Sequence, residues 1–387
     1  GGLITTSMTP TTTTDVLIIG GGLSGLSLAL ALIDNASELT VAVVEPRTRY
    51  QDDRTWSFWG PVHHRMDSLV SHRWSRWCFG LADNDPQTID YPSKPYQSIA
   101  SIDFYRHAAD RIADSDKVTL YLGEAIERCE KRCDTEGLSW RAYSSDHEFS
   151  AQVVIDTRPP PTEQFHTSTL YQCFVGDVID ITGGFDPACL ELMTDMASDA
   201  HGLSFTYCLP FSSNQALVEI TRFSPHPVDW AVLEDDFQAL KARRGWLDAP
   251  IQRTERGQLP MGMAPRQATD TRYVYAGTSA GGLRAATGYG FWRIQRWAQH
   301  CAGSLDADMT PLAHPPEPTI QGWMDDLFLR VLRHHPGRAP EFFFRLYQRV
   351  RPDVLVRFLS DQSSAIDKLK VVLSLPKRPF FDILFRR

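Results

Sequence analysis

The chain has 387 residues, 42% hydrophobic and 22% charged, with a formal net charge of −8. This is an ordinary folded protein with room for two or three cores, and its acid bulk excludes a nucleic-acid partner bound through a basic surface. The cysteines (Cys78, Cys129, Cys133, Cys173, Cys189, Cys208, Cys301) are odd in number and scattered, and with no signal-peptide pattern they point to the cytoplasm.

Residues 1–14 have coil composition and are read as disordered, with Met8 a candidate first residue of the natural chain. The uncharged run Val16 to Ile33 has about the length of a membrane span, but glycines and serines cluster at its front. Val16 to Ile19 reads as a buried strand, Leu23 to Leu32 as a helix and Val41 to Val44 as a second buried strand. Gly20, Gly22 and Gly25 stand in the first turn at G-x-G-x-x-G spacing, and Glu45 ends the second strand. Gly20 suits the tight turn, Gly22 the close approach of a pyrophosphate and Gly25 the packing of helix on strand. The helix start at Leu23 and Ser24 faces the phosphates, and Glu45 can accept from ribose hydroxyls. This is a dinucleotide-binding unit.

Next come Asp52, Asp53 and Arg54, ahead of Trp56, Phe58 and Trp59. Arg54 either contacts the cofactor or pairs with Asp53. Gln152 to Ile155 reads as a strand that ends at Asp156-Thr157-Arg158, where the chain leaves the nucleotide domain.

In 214–223, NQALVEITRF, one carboxylate sits in an apolar, β-branched run. Alternation puts Leu217, Glu219 and Thr221 on one face of a strand and Val218 and Ile220 on the other. Glu219 is then either an edge glutamate facing water or an acid aimed into a cavity, its pKa raised by desolvation. Phe205 and Tyr207 fall on one face of a preceding strand, and Leu209-Pro210-Phe211 turns the chain back into the Glu219 strand.

A second glycine cluster follows a short strand at Tyr273 to Ala276. It contains Gly277, Gly281, Gly282, Gly288 and Tyr289, and a helix with Arg293 and Arg296 begins at Phe291. In flavoproteins of the glutathione-reductase-like class such a late strand, loop and helix returns to the cofactor, which favours FAD. The helix start near Tyr289 would stabilise negative charge on a reduced flavin.

Residues 330–387 carry 13 Lys/Arg against 5 Asp/Glu, which leaves about −16 on the remainder. A basic, aromatic-rich end is the pattern of a membrane-surface contact, and equally of a solvated helical face. The His63-His64 and His334-His335 pairs lack ligand spacing, so no metal is expected.

Taken in order over about 340 residues, DDRTWSFW (52–59), YQCFVG (171–176), FTYCLPFSSNQALVEITRFS (205–224), ERGQLPMG (255–262), AGGLRAATGYGF (280–291) and the tail segments VRFLSDQSS and LPKRPFF resemble the bacterial lycopene β-cyclase family. The resemblance implies reduced FAD, NAD(P)H as electron donor, and peripheral attachment to the inner face of the membrane. It also implies acid/base cyclisation of the acyclic ends of lycopene to β-ionone rings (β-carotene via γ-carotene) without net redox change. The family's two consecutive acids followed by threonine map onto Glu219-Ile220-Thr221, where the second acid is Ile.

A cation made by protonating an alkene needs an apolar, aromatic pocket, for which Phe205, Tyr207, Phe211 and Phe223, with Trp56, Phe58 and Trp59 elsewhere, are the candidates. The expected fold is α/β. A glutathione-reductase-like FAD-binding Rossmann domain spans 15–60, 96–160 and 270–310. An antiparallel-sheet substrate domain spans 61–95 and 161–269, and a helical, membrane-facing C-terminal tail spans 311–387. Two other classes stay open: an FAD oxidoreductase on an apolar isoprenoid, such as a monooxygenase or prenyl-chain reductase, and a non-catalytic carotenoid- or flavin-binding relative. The Gly-Asp-Ala usual in the late loop of such oxidoreductases is Gly277-Thr278-Ser279 here.

Overall fold

The computed structural model describes residues 9–385. β1 (Thr11–Ile19), α1 (Leu23–Asp34) and β2 (Val41–Glu45) form the N-terminal βαβ unit. β3 (Thr55–Trp59), β4 (His72–Trp74), β5 (Arg76–Leu81), β6 (Gln87–Asp90) and β7 (Tyr96–Ala100) then leave it. α2 (Ser101–Ala113) and β8 (Val118–Leu122) return to it, and β9 (Arg128–Asp134), β10 (Gly137–Tyr143) and β11 (Glu148–Asp156) extend it. After the short α3 (Thr162–Phe165) come β12 (Leu170–Asp180), β13 (Cys189–Asp199), β14 (Gly202–Pro210) and β15 (Gln215–Ser224). α4 (Trp230–Arg244), β16 (Ile251–Met261), β17 (Tyr273–Tyr275) and α5 (Phe291–Asp308) follow. The tail is α6 (Thr319–His334), α7 (Ala339–Arg349), α8 (Pro352–Leu359), α9 (Ala365–Ser374) and α10 (Lys377–Leu384).

The first sheet runs β8-β2-β1-β11-β10-β9, with β17 added to β11. Its central strands are parallel, as crossover helices require. α1 is buried from Ser24 to Leu32 because it lies on this sheet and also packs against α2 and α5. That burial accounts for its uncharged sequence. Among the described residues no helix is long and apolar enough to cross a membrane. β1 starts at Thr11 and pairs with β11 from there, so residues 11–14 are ordered, contrary to expectation. Residues 1–8 lie outside the described residues. Cys129 and Cys133 sit on β9.

The second sheet has the order β16-β12-β15-β14-β13-β5-β6 and is antiparallel except where β13 meets β5. One face packs on α4: Val175, Val218 and Ile220 meet Leu233, Phe237 and Leu240. The other face, with Leu203, Phe205, Leu217 and Phe223, shares a core with the tail through Leu329, Phe342, Phe343 and Tyr347. β3, β7 and β4 form a separate three-stranded sheet, so the loop segment 61–95 divides between two sheets.

Candidate active site

The nucleotide end is built on glycine geometry. Gly20 has φ 108°, which suits glycine, and its N–H donates to Val44 O at 2.8 Å. A Cβ on Gly25 would stand 1.9 Å from Gly20 O, so α1 sits directly on the turn. Gly22 differs: a Cβ there would meet nothing within 4 Å. No side chain caps the first turn of α1 at Leu23 and Ser24, and no acid stands in it, which leaves N–H groups and the positive helix end for an anion. Glu45 is buried at the end of β2, where it accepts from the Gly21 N–H at 3.1 Å and the Arg47 N–H at 2.7 Å. The Arg47 guanidinium also bonds this carboxylate, at 2.9 Å.

The late loop reaches the same place. A Cβ on Gly277 would lie 3.0 Å from Ser24 Oγ, so the loop touches the first turn of α1. The Gly277 N–H donates to His314 Nε2 at 3.0 Å, and the Gly282 N–H closes the loop onto Gly277 O at 2.8 Å. Burial, with Arg293 nearby, pushes the His314 ring down to about 3, so the acceptor nitrogen stays free of protons. Ser279 Oγ and His314 Nδ1 are buried without a hydrogen-bond partner. An open cradle at Gly22 and unpaired polar atoms in the loop opposite fit a dinucleotide cofactor. Gly281 begins the bend after the loop's first turn, and Gly288 lies against Gln172 of β12. Arg54 is exposed, and Asp53 pairs with Arg47 at 3.3 Å.

The acid lies in the second sheet. Glu219, in the middle of β15, stands opposite Tyr207 of β14 and Gly176 of β12. On the far side of β12, Gly176 is opposite Glu255 of β16. Gly176 has no side chain, and a Cβ there would lie 2.3 Å from Glu219 Cγ. The two glutamates therefore face each other over a glycine.

Their surroundings differ. Glu255 accepts from the Thr55 hydroxyl at 3.1 Å and forms an ion pair with the Arg253 guanidinium at 3.1 Å. Arg253 is held in turn by Asp52 at 3.2 Å. Burial, and then the charge of Glu255, push the Glu219 carboxyl well above the usual carboxylate range. Burial raises Glu255 too, though less far, because Arg253 and Thr55 lower it. Of the two buried carboxyls Glu219 is raised the more, so a proton held by the pair is favoured there.

Aromatic rings surround this face. The Tyr207 and Tyr96 hydroxyls are 2.6 Å apart. Trp59 packs edge-on against Tyr96 at 4.7 Å and Tyr289 at 5.4 Å. Phe205 meets Phe223 at 5.4 Å, and Phe223 meets Phe343 of α7 at 5.8 Å. Phe211 lies further out, stacked on His72 at 4.5 Å. Trp56 and Phe58 do not join this group, because β3 alternates. Trp56 points at Phe104 and Tyr105 of α2, and Phe58 at Phe291 and Trp292 of α5. Their neighbours Thr55 and Trp59 face the acids and tyrosines instead. A narrow cleft bounded by Ser57, Trp59, Tyr289, Arg293 and Asp361 runs between β3, the start of α5 and the end of α8.

Sequence reasoning passed over Glu255, Gly176 and Tyr96 as parts of the acid site. Glu255 and Gly176 end or open two of the quoted motifs, ERGQLPMG and YQCFVG. Only the pairing of β12 with both β15 and β16 brings them together.

The fold is that of FAD-dependent enzymes with an antiparallel substrate-side sheet and a C-terminal helical region. It matches a geranylgeranyl bacteriochlorophyll reductase-like protein of Thermoplasma acidophilum with a TM-score of 0.64 at 12% identity, covering 96% of this chain and 99% of that one. It matches the flavin-dependent brominase Bmp2 with a TM-score of 0.60 at 14% identity, covering 96% and 98%. The flavin-dependent monooxygenase PieE, solved with FAD and substrate, matches with a TM-score of 0.58 at 14% identity, covering 97% of this chain and 72% of that one. The family model for lycopene cyclase protein matches residues 15–385, and the chain belongs to the lycopene cyclase family. It is similar to the lycopene beta-cyclases of Paracoccus sp. (28% identical, 95% of each chain) and Pseudescherichia vulneris (25% identical, 94% of this chain and 95% of that one).

Proposed function

We propose that the protein closes a β-ionone ring at the acyclic end of lycopene or a related carotene, by acid/base chemistry with no net redox change. The observation that carries this reading is the buried Glu219 and Glu255, set across Gly176 on an aromatic face, with Glu219 held well above the usual carboxylate range.

Glu219 gives its proton to the terminal double bond, and the resulting tertiary cation is attacked by the neighbouring alkene. The carboxylate pair then offsets the positive charge, and the rings of Tyr207, Tyr96 and Trp59 offer their faces to it. Loss of a proton from the ring to the pair restores Glu219. Arg253 and Thr55 position Glu255 and favour its carboxylate form.

FAD would be held by Gly20, Gly22, Gly25, Glu45 and the loop from Gly277 to Tyr289, and in its reduced form would supply negative charge beside the cation. A substrate of this kind is dissolved in lipid, so we place the protein at the inner surface of the membrane, attached peripherally.

The test is anaerobic incubation of the purified protein with lycopene in phospholipid vesicles and FAD reduced by dithionite or NADPH, followed by pigment chromatography. The wild type should form cyclic carotenes. Glu219→Gln should retain flavin and fold but lose about 10²–10⁴-fold in rate. A Glu219→Gln protein as active as wild type would refute the assignment of the acid.

A further inference from the structure

α9 is amphipathic in the inverted sense. Its protein-facing side is Asp367, Val371 and Ser374, with Asp367 bonded to Arg357 at 2.9 and 3.0 Å. Its outer side is Ile366, Leu369, Val372 and Leu373, which are 66%, 57%, 47% and 58% exposed. A helix folded only for water does the opposite. α10 continues the pattern, with Phe381 and Phe385 stacked on each other in solvent and Leu384 beside them in sequence. Lys368 and Lys370 on α9, and Lys377 and Arg378 at the start of α10, flank these apolar side chains. Of the acids in this stretch Asp367 is buried in its ion pair, leaving Asp382.

We propose that the outer face of α9, with Phe381, Leu384 and Phe385 of α10, is the surface by which the protein seats itself in an anionic bilayer. This deepens the peripheral attachment proposed above by naming the residues that enter the lipid. A soluble surface seldom leaves such a patch uncovered. Its occupant is chosen by charge: lysines and arginine around an apolar stripe match anionic headgroups over an acyl layer. A second copy meeting this face across a two-fold axis would oppose the same cations to one another.

The test is flotation of the flavin-loaded full chain with phosphatidylglycerol/phosphatidylcholine vesicles and with phosphatidylcholine alone, without carotenoid. Wild type should bind the anionic vesicles, less so as salt rises, with a salt-resistant remainder. Leu369→Ser with Leu373→Ser should lower partitioning by about tenfold or more at every salt concentration. Lys370→Glu with Lys377→Glu should abolish the preference for anionic vesicles. Both double variants should keep the wild-type melting temperature, because the altered side chains are exposed. Vesicle binding unchanged in both would overturn the proposal. So would a loss of dimer mass by light scattering with vesicle binding intact, which would assign the face to a second copy. A protein that binds vesicles in this way but cyclises nothing would refute the proposed reaction and leave this surface standing.

Discussion

Glu219 is held well above the usual carboxylate range by its burial and then by the neighbouring Glu255, which Arg253 pairs. Below its ordinary value of 4.5 the side chain is protonated folded and unfolded alike. Above that the unfolded chain ionises while the folded one keeps the proton, so stability contributed by the neutral carboxyl is lost as pH rises through the raised folded value. Glu219→Gln removes this titration, and its denaturation midpoint should fall less than that of wild type as pH rises above 4.5. Equal slopes would mean that Glu219 titrates normally. Gly22 offers a second test at this scale. A valine fits the protein there, with open space around it, yet occupies the cradle. Gly22→Val should therefore fold and purify without the flavin absorbance band, and retained flavin would remove Gly22 from the cofactor site. Both positions could be picked out in the sequence, Glu219 as a lone acid in an apolar strand and Gly22 by its spacing. Glu255 could not, since one glutamate in a polar-looking motif declares nothing about what stands across the sheet from it.

Within a strand, period-two alternation is legible, and it assigns Glu219 and Ile220 to opposite faces of β15. Ile220 lies in the apolar layer against α4. Ile220→Glu should cost about 3 kcal/mol in chemical denaturation, because it puts an unpaired charge there, and it should leave the acid site unaided. A manyfold rise in cyclisation would instead make position 220 functional. Register between strands is not legible, because it depends on which strand lies between which. β12 passes between β15 and β16, and its Gly176 gives the two glutamates room. Gly176→Ala should push the Glu219 side chain off Glu255, since Val218 O at 2.6 Å blocks retreat on the other side. Cyclisation should fall at least tenfold with flavin retained; an unchanged rate would show that the pair does not need this contact. Trp56 and Phe58, read as pocket residues for their aromatic rings, face the other way. Nothing in TWSFW tells which face of β3 looks at α5 and which at the acids.

At the scale of the whole chain, the order nucleotide domain, sheet domain and helical tail could be read from glycine clusters, alternation and helical spacing. How the tail is fastened could not. Arg284, from the late glycine loop, is fully buried against Asp325 of α6 at 3.1 Å and reaches Asp361 beyond α8 at 3.5 Å. Arg293 at the start of α5 joins Asp361 at 3.1 Å. These contacts tie cofactor loop and tail into one unit over the aromatic face, keeping bulk water from the acid. The same fold carries reductases and monooxygenases, so the deciding property is whether electrons move. The direct measurement is mass spectrometry of the products formed anaerobically from lycopene with reduced FAD, once in H₂O and once in D₂O. Acid/base cyclisation predicts a product isobaric with substrate in H₂O and carrying one deuterium per ring in D₂O, with no reductant consumed per turnover. A product two hydrogens heavier in H₂O, formed with stoichiometric consumption of the reductant, would contradict it.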